Sequence, residues 1–409
     1  MGLIEQLGTL TKAQRNSIVA SYLGWTLDAF DFFLMVFMIS AISKEFHAST
    51  KEVAEATFLT LAMRPVGAFA FGWMADHIGR RPVMMLVILL FSGFSVLSGF
   101  AQTLGQLLLI RALFGFAMGG EWGIGASLVM ETIPPKLRGP VSGLLQSGYP
   151  SGYFVASLVY FLLFDTIGWR GMFFVGVAPA LLVFLIRMHV EESPAYEARR
   201  HRSRPNPLVE LARHWQIALY LVVLMTAFNF FSHGTQDLYP TFLQKQHGFD
   251  TRMTGTLTAV MNVGAIVGGL SFGIWSEKIG RKRAIMVAAA CALPVIPLWA
   301  YGSTPLLLGI GAFLIQICVQ GAWGIVPAHL NELSPALVRG MFPGFAYQLG
   351  NLIASRNGPF QAWLAEDQGH GFSFALALVA AVTVVVLVGW TAIGPERRDV
   401  DFLEEAKTQ

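Results

Sequence analysis

The sequence predicts an all-α membrane protein with twelve transmembrane helices in two pseudo-symmetric six-helix halves. The first observation is composition: of 409 residues, 54% are hydrophobic and 13% are charged, and the mean hydropathy is +0.57. Soluble globular chains carry about 25% charged residues, so this composition is suited to lipid. The second observation is a series of long apolar segments, and the third is an internal repeat.

Apolar segments of the length that a membrane helix needs, roughly 20 residues, occur along the whole chain. Several contain Gly or Pro, as is typical of membrane helices that pack closely or bend. We expect spans one to twelve at residues 18–43, 54–75, 82–102, 106–130, 140–163, 169–189, 214–243, 253–275, 283–301, 305–330, 340–364 and 372–393.

Basic residues between the spans predict the orientation. Most Lys and Arg residues lie in the loops on the side of the N-terminus, including the Arg-rich segment 190–213. Because cytoplasmic loops are enriched in Lys and Arg, both termini are expected in the cytoplasm. The net charge of +3 is small and gives no indication of nucleic-acid binding. Cys291 and Cys318 lie in apolar spans, so neither a disulfide framework nor a metal site is predicted.

Three sequence blocks recur 201 residues later. The paired blocks are 72–81 with 273–282, 120–123 with 321–324, and 131–139 with 332–340. One shared offset indicates a duplicated six-span unit, with an N-terminal half at 1–189, a cytoplasmic linker at 190–213 and a C-terminal half at 214–409. Two such halves with a site between them near the bilayer midplane are typical of alternating-access carriers.

The repeated block at 72–81, GWMADHIGRR, resembles the signature loop of the major facilitator superfamily between spans two and three. Its degenerate copy lies between spans eight and nine, as is usual in that superfamily. Arg111 with Gly115 and Gly119 resembles the fourth-span motif, and the EESP segment at 191–194 resembles the end of span six in sugar-porter-like branches. The resemblance covers nearly the whole chain and implies the major facilitator fold.

Acidic and basic residues at the cytoplasmic ends of the spans are duplicated with the repeat. We expect charge-assisted hydrogen bonds across the two halves when the cytoplasmic side is closed, with Asp76 capping span eleven or pairing with a basic residue. The alternative is that these residues only anchor the positive-inside loops. The predicted cytoplasmic gate is Asp76, Arg80, Glu131, Arg138, Glu277, Arg281, Glu332 and Arg339.

A polar stripe interrupts span seven. At 100° per residue, its members fall on one side of a helix, and they are Asn229, Ser232, His233, Gln236 and Asp237. Ionisable groups are costly in lipid, so this side is expected to face protein or water. Asn229, Gln236 and Thr241 can hydrogen-bond a carbonyl or hydroxyl group. His233, one turn from Asp237, can take a proton near neutral pH; the alternative is a neutral His satisfied by Asp237.

Charged residues also lie inside spans one, two and four. Arg64 is expected about 18 Å above the cytoplasmic end of its helix, near the midplane. A guanidinium there suits capture of a carboxylate; the alternative is a structural ion pair with Asp28 or Asp31. Asp28 and Asp31 share a face of span one, and Arg111 can pair with Asp31. These acids, and Glu121 in span four, are predicted either to carry a proton or only to stabilise helix packing.

Other residues can contribute to a pocket between the halves. Asn351 and Arg356 of span eleven lie where a contribution from the second half is expected, although Arg356 can equally face the outer water. The aromatic residues that can shape the pocket are Tyr22, Tyr149, Phe230, Trp323 and Tyr347, and nothing in the sequence ranks them.

The pattern N-X-X-S-H-X-X-Q-D-X-X-X-T at 229–241 closely resembles the signature of fungal lactate/pyruvate–proton permeases, which belong to the sialate:proton symporter family. Every fixed position matches, and Arg64 followed by Gly67 matches the family's second-span motif. The resemblance implies proton-coupled symport of a short monocarboxylate by alternating access, with Asn229 and Gln236 near the substrate and His233 and Asp237 near the proton step.

From the residues and the resemblance together, we expect a substrate site and a proton-coupling site in one cavity. The predicted substrate-binding residues are Arg64, Asn229, Ser232, Gln236 and Thr241. The predicted proton-coupling residues are His233, Asp237, Asp28, Asp31 and Glu121, with Arg111 as an ion-pair partner.

Other functions stay open. The same family includes sialic acid carriers, so a proton symporter for sialic acid or another larger organic acid is the alternative prediction. A non-transporting sensor on this fold would call for a cytoplasmic signalling segment, and the tails are short. The sequence contains no P-loop, Ser/His/Asp elbow or metal-spaced cluster, so neither an enzyme nor a cofactor other than the coupling proton is expected. The compact chain suggests a monomer in a bacterial inner membrane.

Overall fold

The computed structural model describes residues 3–177, 181, 184, 188–200 and 206–408. These residues form helices and connecting turns, without a strand. Part of predicted span six, after residue 177, and residues 201–205 of the predicted linker lie outside the described residues.

The helices follow the predicted spans. They are Lys12–Glu45 (span one), Thr50–Ile78 (two), Arg80–Gly99 (three), Leu104–Met118 with Glu121–Thr132 (four), Arg138–Gln146 with Gly148–Val175 (five and the start of six), Trp215–Gln236 with Tyr239–Lys245 (seven), Thr251–Ile279 (eight), Arg281–Ala290 with Ala292–Tyr301 (nine), Pro305–Trp323 with Val326–Leu333 (ten), Phe342–Ala354 with Asn357–Ala362 (eleven) and Phe372–Ile393 (twelve). Short helices outside the spans are Leu3–Gly8, Pro194–Arg199, Pro207–Arg213 and Phe402–Thr408.

Ten helical segments in the described part of the chain are long and apolar enough to cross a membrane. Span five runs into span six with a kink at Gly168, so the two are continuous up to Val175. Span eleven divides between Ala354 and Asn357, which leaves each piece too short to qualify alone. The twelve-span arrangement is otherwise the one predicted.

Local sequence explains where the spans begin and turn. Side chains of Thr11, Ser49, Thr103, Asp250 and Thr304 accept hydrogen bonds from the first turns of their helices. The signature loop and its copy both place a glycine at positive φ, 108° at Gly79 and 96° at Gly280. Only glycine adopts this conformation readily, which explains why both copies of the loop contain it.

Small residues bring span four against span two. A Cβ atom added at Gly115 or Gly119 would overlap the carbonyl oxygens of Thr60 and Arg64. The two backbones therefore touch, as is common where membrane helices pack through glycine. This contact fixes the height and direction from which the Arg64 side chain leaves span two.

The two halves have separate apolar cores, and a third cluster joins the chain ends. This third cluster contains Leu10 near the N-terminus, Ala195 of the linker, and Phe402 and Ala406 of the last helix, packed under spans four and five. Both chain ends therefore lie on one side of the helix bundle, which we call the terminal side. The other side is called the opposite side.

Candidate functional site

A cavity lies between the two halves. Its outer part, which we call the vestibule, has a volume of about 400 Å³ and reaches toward the opposite side. The vestibule is lined by Phe32, Phe33, Val36, Phe37, Thr57, Leu61, Tyr149, Pro150, Tyr153, His233, Gln236, Asp237, Pro240, Thr258, Met261, Asn262, Ala265 and Gln320. Apolar and aromatic side chains predominate, with the polar groups gathered near span seven.

A smaller chamber of about 40 Å³ continues inward from the vestibule. A water molecule needs roughly 10–15 Å³ on this scale, so the chamber has room for a few water molecules or a small anion. The chamber is lined by Trp25, Phe32, Leu61, Arg64, Gln146, Tyr149, Asn229, Ser232, His233, Gln236, Gln320, Trp323, Tyr347 and Asn351. Both halves contribute, as expected for a site between the repeats.

Aromatic rings close the chamber toward the terminal side. The Trp122 and Tyr347 ring centroids lie 4.7 Å apart, those of Trp323 and Tyr347 lie 5.5 Å apart, and those of Trp25 and Tyr149 lie 5.6 Å apart. These five rings, which come from spans one, four, five, ten and eleven, form what we call the aromatic floor. The cavity is thus open on one side and closed by packed rings on the other.

Arg64 lies in the chamber wall and is already paired. Its Nη2 atom donates to Asp28 Oδ1 at 3.0 Å and lies 2.7 Å from Met118 Sδ, and its guanidinium lies over the Phe32 ring at 5.6 Å. Asp28 Oδ2 and Arg64 Nε have no hydrogen-bond partner among the described residues. The two open interpretations of Arg64 therefore hold together: it forms an ion pair and also faces the chamber.

The span-seven stripe turns toward the cavity. Four of its members line the chamber, and His233, Gln236 and Asp237 also line the vestibule. His233 Nδ1 lies 3.1 Å from Asp237 Oδ2, and His233 Nε2 lies 2.9 Å from Asn351 Oδ1 of span eleven. Gln236 donates to Gln316 Oε1 at 2.8 Å, which ties the stripe to span ten.

Thr241 departs from the predicted set, because it lines neither the chamber nor the vestibule. The helix that carries the stripe ends at Gln236, and a second helix begins at Tyr239. The helical register used for the prediction is therefore interrupted before Thr241, and Pro240 takes the lining position instead.

A second buried ion pair lies beside the first. Arg111 Nη1 is 3.4 Å from Asp31 Oδ1, and the guanidinium is 3.8 Å from the Phe114 ring centroid. Neither residue lines the chamber or the vestibule. Glu121 is buried in span four and lies close enough to Asp28 to interact with it electrostatically. The acids predicted to couple protons thus occupy two settings, with Asp28 next to the chamber and Asp31 behind it.

Two carboxylates join the halves on the terminal side. Asp76 accepts hydrogen bonds from the backbone N–H groups of Gly340 and Met341 at 2.9 and 3.1 Å, just before the helix of span eleven. Glu277 accepts from the backbone N–H of Gly139 at 2.6 Å, at the start of span five. Each pair is the other moved by 201 residues, so the duplication produces two equivalent caps. Anionic side chains at helix N-termini are favoured by the helix dipole.

The predicted acid–base pairs mostly close within one half, which corrects the expectation that they cross between halves. Arg80 lies 3.2 Å from Glu131, and its counterpart Arg281 lies 2.9 Å from Glu332. Across the halves, Arg138 approaches Glu332 at 4.0 Å. Breaking a buried ion pair leaves an uncompensated charge that costs about 3–5 kcal/mol. Pairs inside one half avoid this cost when the halves separate, because only the hydrogen bonds of the caps are lost.

The last helix binds both halves. The Phe402 ring lies between the Arg138 and Arg339 guanidinium groups, 3.6 and 3.9 Å from the ring centroid. Arg138 also donates to the Val400 carbonyl at 2.7 Å, and Arg339 is bonded to Glu405. Burial opposes ionisation of Glu405, but the Arg339 guanidinium outweighs it and holds the pKa of that carboxyl below its usual range.

Comparison with known proteins agrees with this geometry. The family model of the Major Facilitator Superfamily matches residues 20–355 and 223–407. The chain belongs to the major facilitator superfamily. The XylE proton:xylose symporter structure covers 97% of this chain and 98% of its own with a TM-score of 0.78, at 16% identity, which shows the shared fold.

Two relatives in this superfamily share more sequence. A carboxylic acid transporter protein homolog of Saccharomyces cerevisiae is 30% identical over 392 residues, covering 89% of this chain, and this chain spans 63% of the yeast protein's length. The sialic acid transporter NanX of Escherichia coli is 27% identical over 386 residues, covering 93% of this chain and 95% of NanX. The facilitator described here is accordingly a membrane transporter and not an enzyme.

Several residues of this facilitator's cavity were not in the predicted site. Asn351 was expected only as a general second-half contribution, and Gln316 and Gln320 of span ten were not predicted. Their helices are apolar overall, so an isolated amide there gave little signal. The repeat offers one: Gln320 occupies the position equivalent to Gly119 in the other half. Of the five aromatic candidates, Tyr149, Trp323 and Tyr347 line the chamber.

Replacing Phe402 with Ala is expected to shift the facilitator toward a state open on the terminal side. The change removes two cation–π contacts, each worth about 0.5–2 kcal/mol, and the packing of a buried ring. We expect the labelling rate of a thiol introduced below the aromatic floor to rise about tenfold or more. Leu403→Ala is the matched control, because Leu403 is exposed on the same helix. Equal labelling in both variants would contradict the prediction.

Proposed function

We propose that this facilitator is a proton-coupled symporter of a short monocarboxylate that works by alternating access. The convergence of Arg64, His233, Asn229 and Gln236 on a chamber of about 40 Å³ carries the proposal. A guanidinium offers a carboxylate two parallel hydrogen bonds, and the amides can bind a carbonyl or 2-hydroxyl group. The names of the two relatives, a carboxylic acid and a sialic acid transporter, are consistent with an anionic substrate.

Charge balance supports the proton. A substrate carboxylate that binds Arg64 competes with Asp28, whose nearest cation is that guanidinium at 3.0 Å. A buried carboxylate without its cation is strongly disfavoured, and a proton neutralises it. His233, at the junction of the chamber and the vestibule, offers a second place for a proton within reach of the opposite side. Anion and proton together add no net charge to the chamber.

The closed terminal side and the open vestibule support an outward-open state. In this proposal the opposite side is extracellular or periplasmic, both termini are cytoplasmic, and the facilitator is a monomer in a bacterial inner membrane. Opening the terminal side would separate the Asp76 and Glu277 caps while the aromatic floor rearranges. The chamber would then face the cytoplasm.

The size of the vestibule supports the second candidate, a proton symporter for sialic acid or another larger organic acid. The chamber alone holds a lactate-sized anion, whereas the vestibule of about 400 Å³ can hold the rest of a larger molecule whose carboxylate reaches Arg64. Known ligand pockets measure about 300–1,000 Å³, so this volume is sufficient. NanX, a relative of similar length, is named as a sialic acid transporter.

Uptake of labelled L-lactate into proteoliposomes, with and without an inward proton gradient, tests the proposal. We expect a gradient of one pH unit to raise accumulation up to about tenfold, because one proton moving down that gradient supplies about 1.4 kcal/mol. Unlabelled pyruvate should compete. If sialic acid competes better than either, the second candidate replaces the first. If a dissipated gradient leaves accumulation unchanged, the proton coupling is wrong.

A further inference from the structure

The imidazole of His233 lies between two oxygen atoms. Nδ1 faces the Asp237 carboxylate at 3.1 Å, and Nε2 faces Asn351 Oδ1 at 2.9 Å. Both partners are acceptors in this arrangement, so both ring nitrogens must carry hydrogen to make both bonds. A neutral imidazole has one N–H, whereas the imidazolium has two. The arrangement of the side chains therefore matches the protonated form of His233.

Asn351 differs from Asp237 in how it responds to a lost proton. A carboxylate is an acceptor only, but the end of an asparagine side chain offers an oxygen acceptor and an NH₂ donor. With His233 neutral and Nδ1–H bonded to Asp237, Nε2 is an acceptor and needs the NH₂ group. The Asn351 side chain must then rotate by about half a turn to keep a hydrogen bond.

We propose that Asn351 is a positioning residue that holds the coupled proton on His233 in the outward-open state. This inference rests on the proposed symport. A proton from water in the vestibule forms a bond with Nε2, the O–H bond of its hydronium donor breaks, and Asn351 Oδ1 accepts the new N–H. The outward-open state thereby binds the proton more tightly, and by linkage the proton favours that state.

Span eleven connects this bond to the terminal side. Asn351 lies in the helix Phe342–Ala354, and the residues before that helix, Gly340 and Met341, donate to Asp76 of the other half. Tyr347 of the aromatic floor lies between them on the same helix. One rigid helix therefore contacts the proton site, the floor and the cap, so its placement can respond to the proton on His233.

The other groups around His233 leave room for this role. The charged groups that face it are Asp237 on its own helix and Arg64 of span two. Neutral polar neighbours come from other spans: Tyr149 of span five and Gln320 of span ten line the same chamber. The hydrogen bond to Nε2 comes from Asn351, so substitution at this one position changes the acceptor without changing the surrounding charge pattern.

Two substitutions with opposite expected effects test the inference. Asn351→Asp supplies a permanent acceptor with a charge and should hold the proton to higher pH. Asn351→Leu supplies no acceptor and should release it at lower pH. We expect the pH of half-maximal uptake to move up by about one unit in the first variant and down by about one unit in the second. Asn262→Leu, which removes an amide bonded to its own helix, should leave this pH unchanged.

A readout without substrate separates this inference from the proposed function. In a Cys291→Ser, Cys318→Ser background, Val36→Cys places a thiol in the vestibule, and a membrane-impermeant maleimide reports the outward-open state. The labelling midpoint should shift with pH in the same two directions, and the shared thiol cancels maleimide chemistry between variants. Shifts in one direction, or none, would overturn the inference whatever is transported. Opposite shifts without uptake of any carboxylate would support it and overturn the proposed function instead.

Discussion

Arg64→Ala is expected to reduce uptake of a carboxylate by roughly 30- to 1,000-fold, because removing one partner of a buried hydrogen-bonded charge pair costs about 2–5 kcal/mol. Arg64 is 4% exposed and is the cationic side chain that lines the chamber in the described part of the chain. Its loss leaves no fixed cation to offset the charge of the entering anion. Initial uptake rates at saturating and limiting substrate would measure the loss.

The single substitution also leaves Asp28 buried without its cation, which can damage the fold and imitate a loss of function. The double variant Arg64→Ala/Asp28→Asn removes that charge and should restore thermal stability without restoring uptake. The parallel double variant Arg111→Ala/Asp31→Asn removes the neighbouring ion pair, which lies outside the chamber, and should retain uptake. Recovery of transport in the first double variant would show that Arg64 does not bind the substrate.

His233→Ala is expected to abolish proton-driven accumulation of substrate while exchange of substrate across the membrane continues. His233 joins the chamber to the vestibule, and its hydrogen bonds to Asp237 and Asn351 link spans seven and eleven. Without a proton on this side chain, loaded carriers still cross, but the gradient no longer drives the cycle. The ratio of gradient-driven uptake to counterflow should therefore fall at least tenfold.

Comparison with Asp28→Asn identifies the proton acceptor. If His233→Ala retains gradient-driven accumulation and Asp28→Asn loses it, the coupled proton belongs to Asp28, which shares Arg64 with the substrate. If both variants retain it, Asp31 and Glu121 become the candidates. Proportional loss of accumulation and counterflow in His233→Ala would indicate damage to the site rather than to coupling.

The repeat made much of the fold predictable. Span positions follow from hydropathy, because lipid requires long apolar helices whose backbone hydrogen bonds are satisfied internally. The 201-residue offset predicted two related halves, and the caps at Asp76 and Glu277 obey the same offset. Spans six and eleven were less regular than predicted, since a kink at Gly168 and the break between Ala354 and Asn357 interrupt them.

The sequence alone determined which residues are costly in lipid: Arg64, Asp28 and the span-seven stripe stand out because charged and polar groups are rare in membrane helices. Only the tertiary structure decided which of them share a space. Pairing of Arg64 with Asp28, the approach of Asn351 to His233 and the exclusion of Thr241 depend on how separate helices pack and where one helix breaks. Periodicity along a single helix reports which way a side chain points, but contacts between helices depend on side-chain packing distant in the chain.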